Sequence, residues 1–392
     1  MQYEHITSDS QLQDYCARLA QAEFIAFDTE FISEDTYRPD LCLIQVAAGD
    51  ALAVIDPKAC EDVTLFWETL AAFPRQTIVH AGREELRFCL QAVQAPPPQL
   101  IDVQLAAGMI GLEYPAAYGT LIHKLLGKTL PKGETRTDWR RRPLTDRQME
   151  YALQDVIYLA AIRDQLLGKL DELDRRSWFL DEMTRWQNDI IEAEAQQRWR
   201  RVSGISGLGR RALAIVRELW QWREEEAQAR NSPPKRILRD DLIIELARRQ
   251  TSDVKRIRAV RGMERSGLQR HLDDLGSAVD RAMNLPEADL PSRIQSQSSR
   301  QHNLLGQFLA SALSSICRDA QIAPSLVGSG QDVRELVASL LNKEKGEKPS
   351  LSTGWRAEVV GNKIADLLSG KLVIAVVNPN SEQPLAFEPR QS

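Results

Sequence analysis

The sequence predicts an α/β domain built on a mixed sheet flanked by helices, followed by two mainly α-helical domains. Three observations predict it. Short apolar or alternating runs of strand length come first, interleaved with stretches of helical spacing. From about Asp146 onward the helical spacing takes over almost completely. Two breaks then punctuate the helical part. One holds Gly204, Gly207 and Gly209; the other spans residues 285–299, with Pro286 and Pro291 followed by Ser292, Ser296, Ser298 and Ser299.

Residues 24–30, 41–47 and 51–55 are separated by polar, Pro- or Gly-containing segments and read as three successive strands joined by hairpins. Residues 61–72 and 84–93 space their apolar side chains as helices do, with a strand at 77–80 between them. After Ala95-Pro96-Pro97-Pro98 comes a strand at 100–103, then a helix around 104–110. Strands with interleaved helices make a mixed sheet. Cutting at the two breaks gives a first domain over residues 1–200 with its connecting helix, a second over 205–288 and a third over 294–385. At 392 residues the chain is longer than one ordinary domain. The apolar run 372–377 reads as a short buried strand.

An apolar share of 43% provides for packed cores and argues against a disordered chain. No apolar run is long enough to span a bilayer, and Met1 to His5 lacks the basic and apolar parts of a signal peptide. No membrane partner and a cytoplasmic location are therefore expected. Cys16, Cys42, Cys60, Cys89 and Cys317 are scattered without CxxC spacing, which argues for reduced thiols and against a disulfide framework or a zinc site. The net charge of −5 does not announce a nucleic-acid binder, but its distribution is uneven. Acids dominate residues 23–40, while 136–147 and 255–270 are strongly basic, as in a chain that holds metal with carboxylates and RNA with arginines.

The apolar run Phe24-Ile25-Ala26-Phe27 ends in Asp28-Thr29-Glu30. Strand period puts Asp28 and Glu30 on one face, where two like charges repel unless a cation sits between them. The alternative is a polar strand end with solvated acids. On a later helix Tyr151 and Asp155, at i and i+4, share a face; alone, they also fit a tyrosine at the core margin beside a surface acid.

Together with an acid on a middle helix, these residues resemble the DEDD exonuclease superfamily, tyrosine branch, whose catalytic domain is ribonuclease H-like. Thr36-Tyr37-Arg38-Pro39, Leu41-Cys42-Leu43-Ile44-Gln45, His80-Ala81-Gly82, residues 102–107, Thr137-Asp138-Trp139 and Arg142-Pro143-Leu144 are similar to the ribonuclease D family, a match covering most of residues 20–165. Residues 208–285 resemble the helicase-and-RNase-D C-terminal domain at Leu213, Leu219, Trp222, Arg223, Pro233-Pro234, Ile237-Leu238, Asp240-Asp241 and 257–262. Residues 300–370 resemble the helical domain that follows it in bacterial members, notably at Gly354-Trp355-Arg356 and Gly361.

The resemblance implies a 3′→5′ exoribonuclease that uses two divalent ions, Mg²⁺ or Mn²⁺, and releases 5′-nucleotides. It implies that Asp28, Glu30 and Asp155 hold one ion, with Asp28 bridging to a second supported by Glu85, and that Tyr151 orients the attacking water. One residue departs from the pattern. The family's usual aspartate in the His-Ala-Gly-x-Glu-Asp-Leu stretch is here Glu85, one methylene longer, and active sites tolerate such displacement poorly.

Contacts with RNA are expected at Thr29, Phe31, Gln45 and His80 beside the acids. Farther out, Arg136, Trp139 and Arg140 supply the arginine-and-aromatic recipe of single-strand binding. There Trp139 either stacks on a base or anchors a solvated loop, and Asp138 pairs with an arginine. Lys255 and Arg258 belong to a basic cluster that is either a phosphate-contacting surface or a solvated helix face. The implied partners are RNAs, transfer-RNA precursors with 3′ extensions foremost, bound by a monomer. A 3′-5′ DNA exonuclease and a catalytically weakened RNA-binding protein are the competing readings. Gly204 to Gly209 lacks the P-loop lysine, so nucleotide binding there is poorly supported.

Overall fold

Ile25, Ala26 and Phe27 are fully buried, and so are Ile44 and Val46 on the neighbouring strand. β-Branched and aromatic side chains of this kind favour a pleated sheet covered on both faces. The computed structural model describes residues 2–130, 137–195, 198–293, 300–342, 348–381 and 383–390. The elements of the first part are β1 (Glu4–Ile6), α1 (Asp9–Leu19), β2 (Phe24–Ile32), β3 (Asp40–Ala48), β4 (Ala51–Ile55) and α2 (Thr64–Ala72). There follow β5 (Gln76–Val79), α3 (Arg83–Val93), β6 (Gln99–Asp102), α4 (Val103–Met109) and α5 (Tyr118–Leu126). The strands form one sheet in the order β1-β4-β3-β2-β5-β6. It is mixed: β2/β3 and β3/β4 are antiparallel, while β1/β4, β2/β5 and β5/β6 are parallel. The sequence analysis passed over β1, α1 and α5.

Next come α6 (Asp146–Ile157), α7 (Leu159–Glu172) and α8 (Arg176–Ala195). Thr145 and Gln148 start α6 with a reciprocal capping box, which fixes where the helix begins and therefore which residues face the sheet. The helical second part holds α9 (Arg210–Ala229), α10 (Pro234–Ile237), α11 (Asp240–Arg249), α12 (Val254–Arg258), α13 (Ser266–Gln269) and α14 (Leu272–Met283). These close around a core of their own that includes Leu213, Leu219, Leu246, Ile257 and Leu275.

The last part contains α15 (Arg300–Asp319), α16 (Pro324–Val327), α17 (Gly330–Asn342), α18 (Gly354–Arg356) and α19 (Asn362–Leu368), then the hairpin β7 (Leu372–Val376) and β8 (Leu385–Pro389). Its apolar side chains do not form a separate core. Ile316, Leu326, Val333 and Trp355 join one cluster with Leu105, Met109 and Phe179 of the sheet domain. The expectation of a buried strand at 372–377 is corrected: β7 is an edge strand of a two-stranded hairpin, and Val376 is 67% exposed. A hairpin with one neighbour on one side only has no second layer to bury both of its faces.

Candidate active site

β2 carries Asp28 and Glu30 on one face, opposite Gln45 and Leu43 of β3. A bulge follows Glu30, where the register shifts before Phe31, and bulges re-aim the side chains next to them. α6 packs over β2 and β3 and brings Tyr151 and Asp155 to this face. Thr29 points to the other face by strand alternation, and there its hydroxyl donates to the Glu85 carboxylate at 2.6 Å. Glu85 sits in the first turn of α3 and is buried.

Asp102 sets up that turn. Its carboxylate accepts from the backbone N–H groups of Ala81 (3.1 Å), Gly82 (3.0 Å) and Gln104 (2.8 Å). Ala81 adopts the left-handed conformation at φ 54°, which a non-glycine residue keeps only when its surroundings hold it. Arg142 anchors the loop before α6: its guanidinium bonds both Asp56 oxygens at 2.6 Å and the carbonyls of Cys42 and Trp139 at 2.8 Å. The sequence analysis assigned no role to Asp102, Asp56 or the Thr29–Glu85 bond. The His-Ala-Gly, 102–107 and Arg-Pro-Leu stretches of the family match pointed near them without giving them a role.

The carboxylates disturb one another. Burial raises the Asp28 carboxyl well above its ordinary range, and the charges of Glu85, Asp155 and Glu30 raise it further. Glu30 is pushed up to about 8 by burial and then by Asp155 and Glu85. Burial lifts Asp155 to about 6 against a lowering hydrogen bond from Tyr151. Burial also raises Glu85, opposed by the Thr29 hydroxyl. The Tyr151 phenol is held on its protonated side by burial and by Asp155, Glu30 and Asp28. Four acids in this state need either protons or a cation.

The donor set is all oxygen, which suits a hard divalent cation. Gln45, opposite Asp28, is fully buried with both amide atoms unpartnered among the described residues, so the site has an unfilled demand for polar contact. As placed, no three acidic, histidine or cysteine side chains among the described residues close on one point.

The expected RNA contacts fall into several groups. Phe31 and His80 are half-buried at the site's edge, with Phe31 against the Phe88 ring and His80 Nε2 2.9 Å from the Ala116 carbonyl. Thr29 is buried and committed to Glu85. Gln45, expected to contact RNA, has no exposed surface in the described structure. Of the two readings of Trp139, the structure favours the anchor: it is 5% exposed and packed with Cys42, Val54 and Met149. Arg140 is exposed and pairs with Asp35 and Asp138. Lys255 and Arg258 lie on the exposed flank of α12. Arg136 lies outside the described residues.

Carboxylates converging on one strand face from a sheet and a capped helix, with a tyrosine leaning on the last of them, place the chain among the 3′-5′ exonucleases. Residues 3–171 match that family, and residues 212–279 match the HRDC domain. Ribonuclease D of Sphingobium indicum is 32% identical over 382 residues, covering 95% of this chain and 96% of that protein. Ribonuclease D of Zymomonas mobilis is 33% identical, covering 95% of each. The crystal structure of Escherichia coli RNase D superposes with a TM-score of 0.82 at 28% identity, over 94% of this chain and 99% of that one. A Bifidobacterium adolescentis protein shares the fold at a TM-score of 0.66 and 22% identity. The chain belongs to the ribonuclease D family. It is a 3′-5′ exoribonuclease whose helical part includes an HRDC domain. No helix among its described residues is long and apolar enough to cross a membrane.

Proposed function

We propose that the chain trims 3′ extensions from structured RNA, transfer-RNA precursors foremost, by two-metal-ion hydrolysis that releases 5′-nucleotides. The observation that carries this reading is the set of four raised carboxylates beside Tyr151, where the charges of their neighbours raise Asp28 and Glu30 further. Asp28, Glu30, Glu85 and Asp155 are the ligands, and Mg²⁺ or Mn²⁺ the ions. When bound, the ions stabilise charge developing on the phosphate oxygens and activate water. Tyr151 keeps its proton at neutral pH, so it orients the attacking water by hydrogen bond and does not act as a base. Asp155, bonded by that phenol, fixes its direction. Thr29 and Asp102 hold Glu85 at the edge of the group.

The substrate class rests on kinship: the E. coli relative is an exoribonuclease involved in structured RNA processing. The free, buried cysteines agree with a reducing cytoplasm. Three linked parts in one chain can surround a strand without a second copy, which favours a working monomer.

The test is a 3′-extended transfer-RNA precursor labelled at its 5′ end and incubated with Mg²⁺, Mn²⁺ or EDTA. Wild type should produce a ladder shortening from the 3′ end, abolished by EDTA and by Asp28→Ala. RNA that is bound but left intact would overturn the reading in favour of a non-catalytic RNA-binding protein.

A further inference from the structure

The helical unit around α9 contains a cavity of about 210 Å³ whose lining includes Arg230, Lys235, Arg236, Arg239 and Arg265, and no carboxylate. Five cations around one hollow repel unless something negative meets them. Their partners outside the lining are unequal. Arg230 is taken up by Glu226 and by His271, and Arg239 by Asp241 at 2.6 Å. The Lys235 ammonium stands 3.7 Å from Asp240. Arg236 and Arg265 are exposed and form no ion pair among the described residues. The Arg265 charge bears only at longer range on its neighbour Glu264, whose carboxyl it helps to lower. Trp222 and Leu268, both buried, give the hollow an apolar floor, and the Trp222 ring lies 5.4 Å from that of His271.

The cavity's place in the molecule matters as much as its charge. Arg230 caps the C-terminal end of α9. From that same end Glu224 and Asn231 hold Tyr37, the one through its hydroxyl at 3.4 Å and the other through its backbone N–H at 3.2 Å. Tyr37 lies in the turn that leaves β2, the strand of Asp28 and Glu30. The basic hollow therefore stands at the end of the helical unit that is tied to the active-site strand.

We propose that this cavity is a seat for a backbone phosphodiester of the RNA, with Arg236 and Arg265 as its principal contacts and Lys235 at its rim. Phosphate is the group that pairs with several guanidinium forks at once, and the apolar floor accepts the face of a sugar. The choice of RNA as the source of that phosphate rests on the exoribonuclease reading. The seat differs from the Lys255 and Arg258 flank, which the sequence left as either a phosphate-contacting surface or a solvated face.

The test uses the full chain in EDTA, so that binding is read without cleavage, and a fluorescent single-stranded RNA titrated at several salt concentrations. Arg236→Ala with Arg265→Ala should weaken binding about tenfold or more. It should also flatten the dependence of log affinity on log salt by roughly 0.7, the share of one lost phosphate contact on a single strand. Arg236→Lys with Arg265→Lys should restore most of both, and all variants should melt with the wild type. Lys255→Ala with Arg258→Ala should cost less. Unchanged binding by the alanine pair, or a larger loss from the α12 pair, overturns the seat. If wild type still trims RNA with Mg²⁺ in that case, the exoribonuclease reading stands and only the cavity falls. A wild type that neither binds nor trims RNA overturns both.

Discussion

Thr29 and Glu85 meet across the edge of β2 at 2.6 Å, away from water. The extra methylene of Glu85 lets its carboxylate reach Thr29 while its charge still bears on Asp28 and Glu30. Removing the charge should matter more than shortening the side chain. Glu85→Asp is expected to keep activity within about tenfold of wild type, and Glu85→Gln to lose about a hundredfold in kcat/KM on a 3′-extended RNA. Equal losses in the two variants would show that Glu85 contributes shape rather than charge. Thr29→Val, nearly the same volume, leaves the carboxylate without its donor and should destabilise the fold by about 1.5–3 kcal/mol in denaturant unfolding. Asp28 and Glu30 are legible in the sequence because strand period alone puts them on one face. Thr29 as the holder of Glu85 is not, because the same period turns it away from the acids and only the packing of α3 gives it a partner.

At the scale of elements, β2, α3 and α6 press carboxylates together, and pH gives a direct reading of that strain. An acid whose pKa is raised in the folded chain binds more protons folded than unfolded. Stability is therefore fully present below the ordinary carboxylate range and is lost as pH rises through the folded values, about 6 for Asp155 and about 8 for Glu30. A divalent cation relieves the same repulsion. The rise in Tm on adding Mg²⁺ should be small near pH 5 and grow up to about pH 8; an increment independent of pH would show that the ion does not meet these acids.

The Arg142–Asp56 pair runs the other way. Burial alone would raise the Asp56 carboxyl, but the Arg142 hydrogen bonds, the Lys58 backbone N–H and the Arg142 charge together hold it below its usual range. Its stability is present above the ordinary carboxylate pKa and is lost as pH falls through the lowered one. Arg142→Ala, which strands a buried carboxylate and frees the loop before α6, should cost about 2–3 kcal/mol, since the arginine itself is partly exposed. The loss should shrink toward the acid end of that window; a constant loss would assign it to packing alone. The longer strands and most of the helices here are legible from periodicity, though α1 and α5 were passed over. β1 is not, because three residues hold too little pattern, and its place is set by pairing with β4.

Across the whole molecule, the two helical parts relate to the sheet domain differently. The α9 unit has its own core and touches the sheet domain through Tyr37. The last part shares the sheet domain's core, and buried polar anchors fix its position. Arg175 reaches the carbonyls of Met109, Ala320 and Gln321. Gly111, at φ +84°, passes so close that a Cβ there would lie 2.9 Å from the Gln321 backbone. Glu182 of α8 accepts from Trp355 Nε1 at 3.1 Å and from both Arg356 terminal nitrogens at 2.5 and 2.7 Å. None of this is legible in the sequence. Glu182 and Arg356 lie 174 positions apart, and no local spacing relates them. Glu182→Leu would leave the Arg356 guanidinium buried beside an apolar side chain, a loss of about 3–5 kcal/mol. Because the core is shared, that loss should appear as undocking and not as uniform weakening. Calorimetry should resolve the single transition joining the sheet domain and the last part into two, with the α9 unit's own transition unmoved. Glu182→Leu with Arg356→Met, apolar on both sides, should bring the joint transition back. A joint transition unchanged in Glu182→Leu would mean that apolar packing alone docks the last part, with the buried ion pair contributing only orientation.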